Sequence, residues 1–215
     1  MQTLAQIVIR DRRFQMLAVI IGAFTLSGLA WWGYHSYRTS LNERAQSSLM
    51  QQLEIFEKTR ASKEPTKQAW LDLAASCESE YKKHASSDLA PFFKTFQSQA
   101  LLEAGDRDQA IATLDVAYKA MGKQAPLSSL YATKLALMRF DSDKTEEHEQ
   151  GRAELQALAD DRHNSHRGMA WYALWYDAWV RNDQRTALAA YQQLMSFGQQ
   201  SPYAQLAQQK IAFKA

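Results

Sequence analysis

The chain has 215 residues, a formal net charge of +2, and charged residues at 22% of positions. Nucleic-acid-binding domains collect phosphates with a strong positive field, and so small a net charge supplies no such field. Eight glycines and four prolines are few for this length, which favours helices over strands. Cys77 is the only cysteine, so no intramolecular disulfide can form. These features predict one all-α domain that is stabilised by helix packing.

The N-terminal region predicts a membrane anchor. Residues 14–37 carry no formal charge, and about 20 apolar helical residues cross the roughly 30 Å hydrocarbon core of a bilayer. Arginines precede this span, and aromatic side chains that prefer lipid headgroups stand at its other end. The predicted interface residues are Arg10, Arg12, Arg13, Trp31, Trp32, Tyr34 and Tyr37. We therefore expect a cytoplasmic tail at 1–13 and a single transmembrane helix at 14–37.

The arginines also predict the orientation of the anchor. More of them precede the span than closely follow it, and positive residues favour the cytoplasmic side. The C-terminal domain would then lie in the periplasm of a Gram-negative cell, with the anchor in the inner membrane. A cleaved signal peptide is the alternative, because Gly28, Leu29 and Ala30 form a small-residue cleavage site after a basic start.

Residues 38–85 predict membrane-proximal helices. In the first of them, apolar residues recur on one helical face, at Leu41, Ala45, Leu49, Leu53 and Phe56. This helix is interpreted either as an amphipathic stalk that continues the anchor or as the first helix of the domain. Pro65 predicts the start of the next helix. The apolar stripe of that helix is Trp70, Leu73, Ala74, Cys77 and Tyr81.

Residues 86–215 predict helical repeats that end in a capping helix. In 91–121 and again in 168–197, two predicted helices flank a tight turn. Gly105 in the first turn and Asn182 in the second can adopt the left-handed conformation that ends a helix. An aspartate follows in each turn and is placed to cap the next helix. The sequence therefore predicts a helical hairpin at both places.

A degenerate repeat is predicted between these two hairpins. Its helices are expected at 126–139 and 145–159, with a long polar connection, and a final helix is expected at 203–213. The offsets resemble the tetratricopeptide repeat, in which large, small and aromatic residues recur over about 34 positions. Matching positions are Ser98, Leu101 and Ala110 in the first repeat and Trp171, Leu174, Ala187 and Tyr191 in the last. The resemblance implies a right-handed array of helical hairpins.

Two segments, ALLEAGDRDQAIATL from Ala100 and SPYAQLAQQKI from Ser201, stand within the order of anchor, repeats and capping helix. Together with that order they resemble the YfgM-type family of Gram-negative envelope proteins, the ancillary subunits of the Sec translocon. The resemblance implies a non-enzymatic periplasmic adaptor that binds translocon subunits or a membrane-anchored periplasmic chaperone. The short basic tail and the Trp-rich last repeat depart from the family pattern.

No motif in the sequence indicates catalysis. We expect no enzyme activity and no cofactor, because the sequence has no Gly-rich phosphate loop, nucleophile elbow or paired carboxylates. The residue types of metal ligands cluster at Asp160, Asp161, His163 and His166. A zinc site needs four ligands in fixed geometry, and this segment is predicted to be a solvated loop, so we expect no metal there.

The first helix of each pair is predicted to line a concave protein-binding groove. By the repeat register, the residues that face it are Phe92, Gln99, Tyr131, Arg139, Tyr172, Tyr176 and Trp179. Amphipathic rings and arginine are the residue types that anchor protein interfaces. In the alternative arrangement the N-terminal helices cover this surface. Two functions stay open: an adaptor for translocon or chaperone components, and a scaffold, self-associating or not, of another secretion or division complex.

Overall fold

The structure is a computed structural model that describes residues 12–62, 64–122, 127–197 and 201–214, with side chains described between residues 21 and 211. Nine α-helices and no strands occur within these ranges, which confirms the all-α prediction. The helices are α1 (Arg12–Ala61), α2 (Lys67–Lys83), α3 (Ala90–Glu103), α4 (Arg107–Met121), α5 (Ser128–Phe140), α6 (Thr145–Asp160), α7 (Arg167–Val180), α8 (Gln184–Ser196) and α9 (Pro202–Lys214).

Helix α1 continues without a break from the predicted anchor into the domain. Within the described side chains, residues 23–37 are exposed, and Trp31 and Trp32 expose 69% and 67% of their surface. Beyond Arg38, one face packs against α2 and α3 and buries Ala45 and other residues of the helix. The two interpretations of this region therefore combine, because α1 both extends the N-terminal segment and serves as the first helix of the domain.

The predicted transmembrane helix at 14–37 is not confirmed. Across the described part of the chain, no helix is both long enough and apolar enough to cross a membrane. Arg10 and most of the predicted tail lie outside the described residues. The side chains of Arg12, Arg13 and residues 14–20 lie outside them as well.

The core is a series of three clusters that follow the chain. The first joins α1 to α5 around Leu114, the second joins α5 to α7 around Leu155, and the third joins α7 to α9 around Trp175. Because α5 and α7 each contribute to two clusters, the packing extends from one helix pair to the next, as in stacked repeats. The fold therefore fits a tetratricopeptide-like helical repeat protein. The right-handed hairpin array itself stays a prediction.

The two predicted tight turns share one geometry. Gly105 and Asn182 have positive φ angles of 81° and 59°. In both turns the aspartate that follows donates its backbone N–H to the carbonyl five residues earlier, over 2.9 Å. Its side chain then accepts a hydrogen bond from the third residue of the next helix. Both the left-handed helix end and the aspartate cap are thereby confirmed.

Other helix boundaries lie within a few residues of the sequence predictions. Helix α2 begins at Lys67 rather than at Pro65, because the Thr66 side chain accepts a hydrogen bond from the Ala69 N–H over 3.2 Å and so caps the helix. Helices α5 and α6 form the predicted degenerate pair, and α9 is the predicted final helix. The first core cluster contains residues from both predicted units, 38–85 and 86–215, so packing does not separate them.

Candidate functional site

A cleft of about 630 Å³, the central cleft, lies where the C-terminal ends of α3, α5 and α7 come together. Its apolar lining consists of Leu102, Leu137, Met138, Phe140, Ala173, Tyr176 and Val180. Tyr176 is 39% exposed and Val180 is 54% exposed, although both belong to an apolar wall. Apolar side chains grouped in a concave surface are typical of a binding site rather than of an ordinary protein exterior.

Ion pairs form the rim of the central cleft. Arg107 at the start of α4 pairs with Asp141 at the end of α5. Asp177 of α7 accepts from Arg181, the residue that directly follows this helix, and from Arg152 of α6, the latter over 3.3 Å. Of these pairs, Arg107–Asp141 is the most exposed one, and exposed ion pairs contribute little to folding stability. A charged rim around an apolar centre does, however, favour selective binding of a partner with a complementary surface.

Lys134 extends the lining of the cleft toward α3. Its Nζ donates to Gln99 Oε1 over 2.6 Å, and Gln99 in turn donates to Glu103 over 2.9 Å. Burial lowers the pKa of Lys134, and the nearby Glu103 carboxylate opposes that change. Gln99, a predicted groove residue, is therefore part of a polar chain that joins α3 to α5.

Helix α1 lies close to two of the predicted groove residues, near α3. The rings of Phe92 and Tyr131, both predicted groove residues, lie with centroids 6.3 Å apart. Tyr131 and Gln99 also line a smaller cavity of about 360 Å³, whose opposite wall is formed by Phe56 and Arg60 of α1. This contact agrees with the alternative in which an N-terminal helix covers the predicted groove, and the groove itself stays a prediction.

Arg139 lies away from the central cleft. Its guanidinium pairs with Asp115 of α4 over 3.4 Å and with Glu154 of α6 over 2.5 Å. Both partners belong to the second helices of their pairs, so the Arg139 side chain is directed toward those helices and not toward the groove. The repeat register predicted that Arg139 faces the groove. The register could not take account of the carboxylates that α4 and α6 bring close to this side chain.

Two aromatic residues of the predicted groove, Tyr172 and Trp179, pack around the third cluster. The ring of Tyr172 lies 6.1 Å from that of Tyr203 in α9. Trp179 stacks on the buried Trp175 with centroids 5.8 Å apart and lines a cavity of about 380 Å³ between α7, α8 and α9. Of the seven predicted groove residues, Tyr176 alone lines the central cleft.

Sequence reasoning missed most of the cleft lining. A helical signal was nevertheless present, because side chains spaced by three, four and seven positions share one helical face. On α5 this spacing relates Lys134, Leu137, Met138 and Asp141, and on α7 it relates Ala173, Tyr176, Asp177 and Val180. The prediction concentrated on large aromatic residues and therefore overlooked the aliphatic ones.

The predicted loop with metal-ligand residue types is a turn whose side chains bond to its own backbone and to α5. Asp161 accepts from the His163 backbone N–H over 2.9 Å, and His166 Nδ1 lies 3.2 Å from Ser129 Oγ. Within the part of the chain that the structure describes, no group of three or more His, Cys, Asp and Glu could hold a metal ion.

Comparisons with known proteins do not assign the chain. No protein-family model, curated protein or solved structure matches it. The likeness to the YfgM-type family is carried by the two sequence segments and the order of elements described above. The geometry of the central cleft and the exposed part of α1 therefore provide the basis for a functional proposal.

Proposed function

We propose that this protein is a membrane-anchored adaptor of the Gram-negative envelope that binds other proteins in its central cleft. Its partners would be translocon subunits or a membrane-anchored periplasmic chaperone, as the resemblance to the YfgM-type family implies. The apolar wall of the cleft carries the proposal, since Tyr176 and Val180 are exposed inside a charged rim. Apolar anchors within a polar rim are the usual composition of a protein interface.

The exposed segment of α1 supports the membrane anchor. Side chains from residue 21 to Tyr37 are exposed and include many apolar and aromatic ones. A Cβ atom added at Gly22, Gly28 or Gly33 would meet nothing within 4 Å, so no described part of the chain packs against α1 at these three positions. A lipid bilayer would remove these apolar surfaces from water and accept the aromatic rings at its headgroup region.

A matched pair of valines tests binding in the cleft. Val180 in the cleft and Val116 on α4 are 54% and 48% exposed, and Val116 lies outside the cleft. We expect Val180→Lys to reduce partner binding by about tenfold or more, because an ammonium in an apolar contact loses at least about 1.4 kcal/mol. Val116→Lys should leave binding unchanged.

The measurement is photo-crosslinking in living cells, with p-benzoylphenylalanine in place of Tyr176 and partners identified by mass spectrometry. Recovery of Sec and chaperone components, lost in Val180→Lys but retained in Val116→Lys, would support the adaptor. Equal yields from the two variants would show that the partner does not use the cleft. Recovery of division proteins or of further copies of the chain would contradict the adaptor.

A self-associating scaffold is the second candidate, and the C-terminal face favours it. The last helix of a repeat stack usually presents a polar outer surface. Here α8 and α9 expose Leu188, Leu206 and Ile211, with Leu188 60% exposed. Light scattering of the full chain in detergent distinguishes the two functions, because a monomer mass excludes a scaffold that assembles through this face.

Topology is tested by protease protection on spheroplasts, with antibodies to both ends of the chain and a membrane fractionation. We expect the domain to be digested from outside while the N-terminal fragment stays with the membrane. Protection of the domain would place the repeats in the cytoplasm and exclude the periplasmic adaptor.

A further inference from the structure

Helices α1 and α2 run in opposite directions, which brings the end of α2 back toward the exposed segment of α1. Ser48 donates to Glu80 over 2.5 Å, and farther along α1 the Phe56 ring lies 5.3 Å from that of Trp70. A residue later in α1 therefore contacts a residue earlier in α2. The loop that follows α2 must therefore lie near the point where the exposed segment ends.

Two residues of α1 hold this loop in place. The Arg38 guanidinium pairs with the Asp88 carboxylate and donates to the Ser86 carbonyl over 2.9 Å. Asn42 donates to the same carboxylate over 3.1 Å, and its amide oxygen accepts from the Ser87 hydroxyl over 2.8 Å. We name these contacts the loop clamp. They fix the 84–88 loop beside the turn of α1 that directly follows Tyr37.

The loop clamp sets the height of the loop relative to the aromatic side chains of α1. Each helical residue rises about 1.5 Å, so Arg38 and Asn42 lie within roughly 8 Å of Tyr37 along the helix axis. If Trp31, Trp32 and Tyr37 occupy the lipid interface, the loop stands at the level of the headgroups. This placement of the loop rests on the membrane anchor proposed above.

Two lysines beside the loop are available to lipid phosphates. The side chains of Lys82 and Lys83 are 73% and 66% exposed, and their ion pairs with Glu78 and Glu80 are long, at 3.4 and 3.5 Å. Each of these carboxylates has another partner: Glu78 pairs with the more buried Lys94, and Glu80 accepts from a serine of α1. The two ammonium groups can therefore turn to phosphate without leaving a carboxylate unpaired.

We propose that the 84–88 loop, together with Lys82 and Lys83, lies on the phospholipid headgroups and holds the domain in a fixed orientation on the bilayer. Helix α3 leaves this loop and runs away from it for its whole length, about 20 Å. The central cleft lies where α3, α5 and α7 end, so it is held at about that distance above the membrane surface. The orientation thus presents the cleft to a partner that extends well beyond the lipid.

Two labelled positions test the orientation in the full-length chain. Ser86 is an exposed residue of the loop. Asp143 is exposed in the turn between α5 and α6, where it lines the central cleft. Ser86→Cys and Asp143→Cys would each receive a nitroxide spin label, while the buried Cys77 stays unlabelled. Each labelled chain is reconstituted in phosphatidylcholine–phosphatidylglycerol nanodiscs with a lipid that chelates nickel at its headgroup.

We expect nickel to accelerate relaxation of the Ser86 label several-fold more than that of the Asp143 label. Equal acceleration in chains retained by the nanodiscs would overturn the orientation and leave the anchor intact. Chains that do not enter nanodiscs would overturn the anchor and, with it, this inference. Melting curves of the labelled chains that match the unlabelled protein show that both labels report on the folded domain.

Discussion

Cys77 shows how burial controls the chemistry of one residue. Its side chain is completely buried on α2, and the thiol lies 3.6 Å from Gln52 Oε1 of α1. Burial raises the pKa of Cys77 to about 12, and the Glu80 carboxylate adds to the effect. Because the thiolate is the reactive form, we expect no reaction of native protein with a thiol reagent at neutral pH and rapid reaction after unfolding. Absorbance with Ellman's reagent measures both rates.

The same thiol predicts how stability changes at alkaline pH. Between its ordinary value of 9.0 and a pKa of about 12, the unfolded thiol loses its proton while the folded thiol keeps it. The unfolded state then binds fewer protons, so the free energy of unfolding falls as pH rises through this window and is unaffected below it. We expect the melting temperature of Cys77→Ala to fall less steeply with rising pH in this window than that of the native chain. Parallel curves for the two chains would contradict a raised pKa at Cys77.

Gly151 is required by a close approach between two helices. A Cβ atom at this position of α6 would lie 2.2 Å from the Phe140 backbone nitrogen and 2.8 Å from the Ala136 carbonyl oxygen of α5. Backbone atoms cannot move aside as a flexible side chain can. We expect Gly151→Ala to destabilise the protein by about 2 kcal/mol, as overpacked cores do, despite the better helix propensity of alanine.

A neighbouring substitution controls for helix propensity. Gln150 is exposed one position earlier and makes a hydrogen bond only to Glu154 among the described contacts. Gln150→Ala should change the free energy of unfolding by less than about 0.5 kcal/mol. Urea denaturation followed by circular dichroism compares the two variants. Equal stability of Gly151→Ala and the native chain would show that α5 and α6 are farther apart.

The two tight turns both require a residue with a positive φ angle at the end of a helix. Gly105 adopts a positive φ without steric cost, whereas Asn182 adopts it with a side chain. We expect Asn182→Ala to destabilise the domain by about 1 kcal/mol and Asn182→Gly to leave stability equal or higher. Thermal melts of the three chains test this order, and a loss of stability in Asn182→Gly would contradict it.

Helix α1 spans both the predicted anchor at 14–37 and part of the predicted membrane-proximal region at 38–85. Its first part is exposed and apolar, and its second part packs into the first core cluster through Phe56. Periodicity predicted the apolar face of the second part, because the spacing of Leu41, Ala45 and Leu49 is helical by itself. It did not decide between stalk and domain helix, since that choice depends on whether α2 and α3 cover the face.

Helix α9 covers the third cluster at the end of the helical array. Its Ala204 and Ala207 are completely buried, and Tyr203 packs against the same cluster. We expect a chain that stops after residue 201 to melt at a temperature lower by several degrees, because the aromatic surface around Trp175 becomes exposed. Tryptophan fluorescence should shift to the red. Leu206→Gln is the control, since this exposed leucine of α9 should tolerate a polar side chain without a change in melting temperature.

The contacts between segments that are distant in the chain could not be predicted from the sequence. The loop clamp joins Arg38 and Asp88, which are 50 positions apart, and the bond from Lys134 to Gln99 spans 35 positions. Arg139 was predicted to face a groove and instead pairs with carboxylates of two neighbouring helices. The direction of such a side chain depends on charges that other helices bring to it, and no local pattern contains them.

The all-α class, the turns at Gly105 and Asn182 and most helix boundaries could be predicted from local sequence, because they depend on backbone propensity, capping and periodicity within a few residues. Three other features could not be predicted in this way: α9 packs against the aromatic residues of the last repeat, Gly151 lies against α5, and the ends of α3, α5 and α7 form a cleft. These features arise from how helices approach one another in space, and that approach is set by packing summed over the whole core rather than by any one segment.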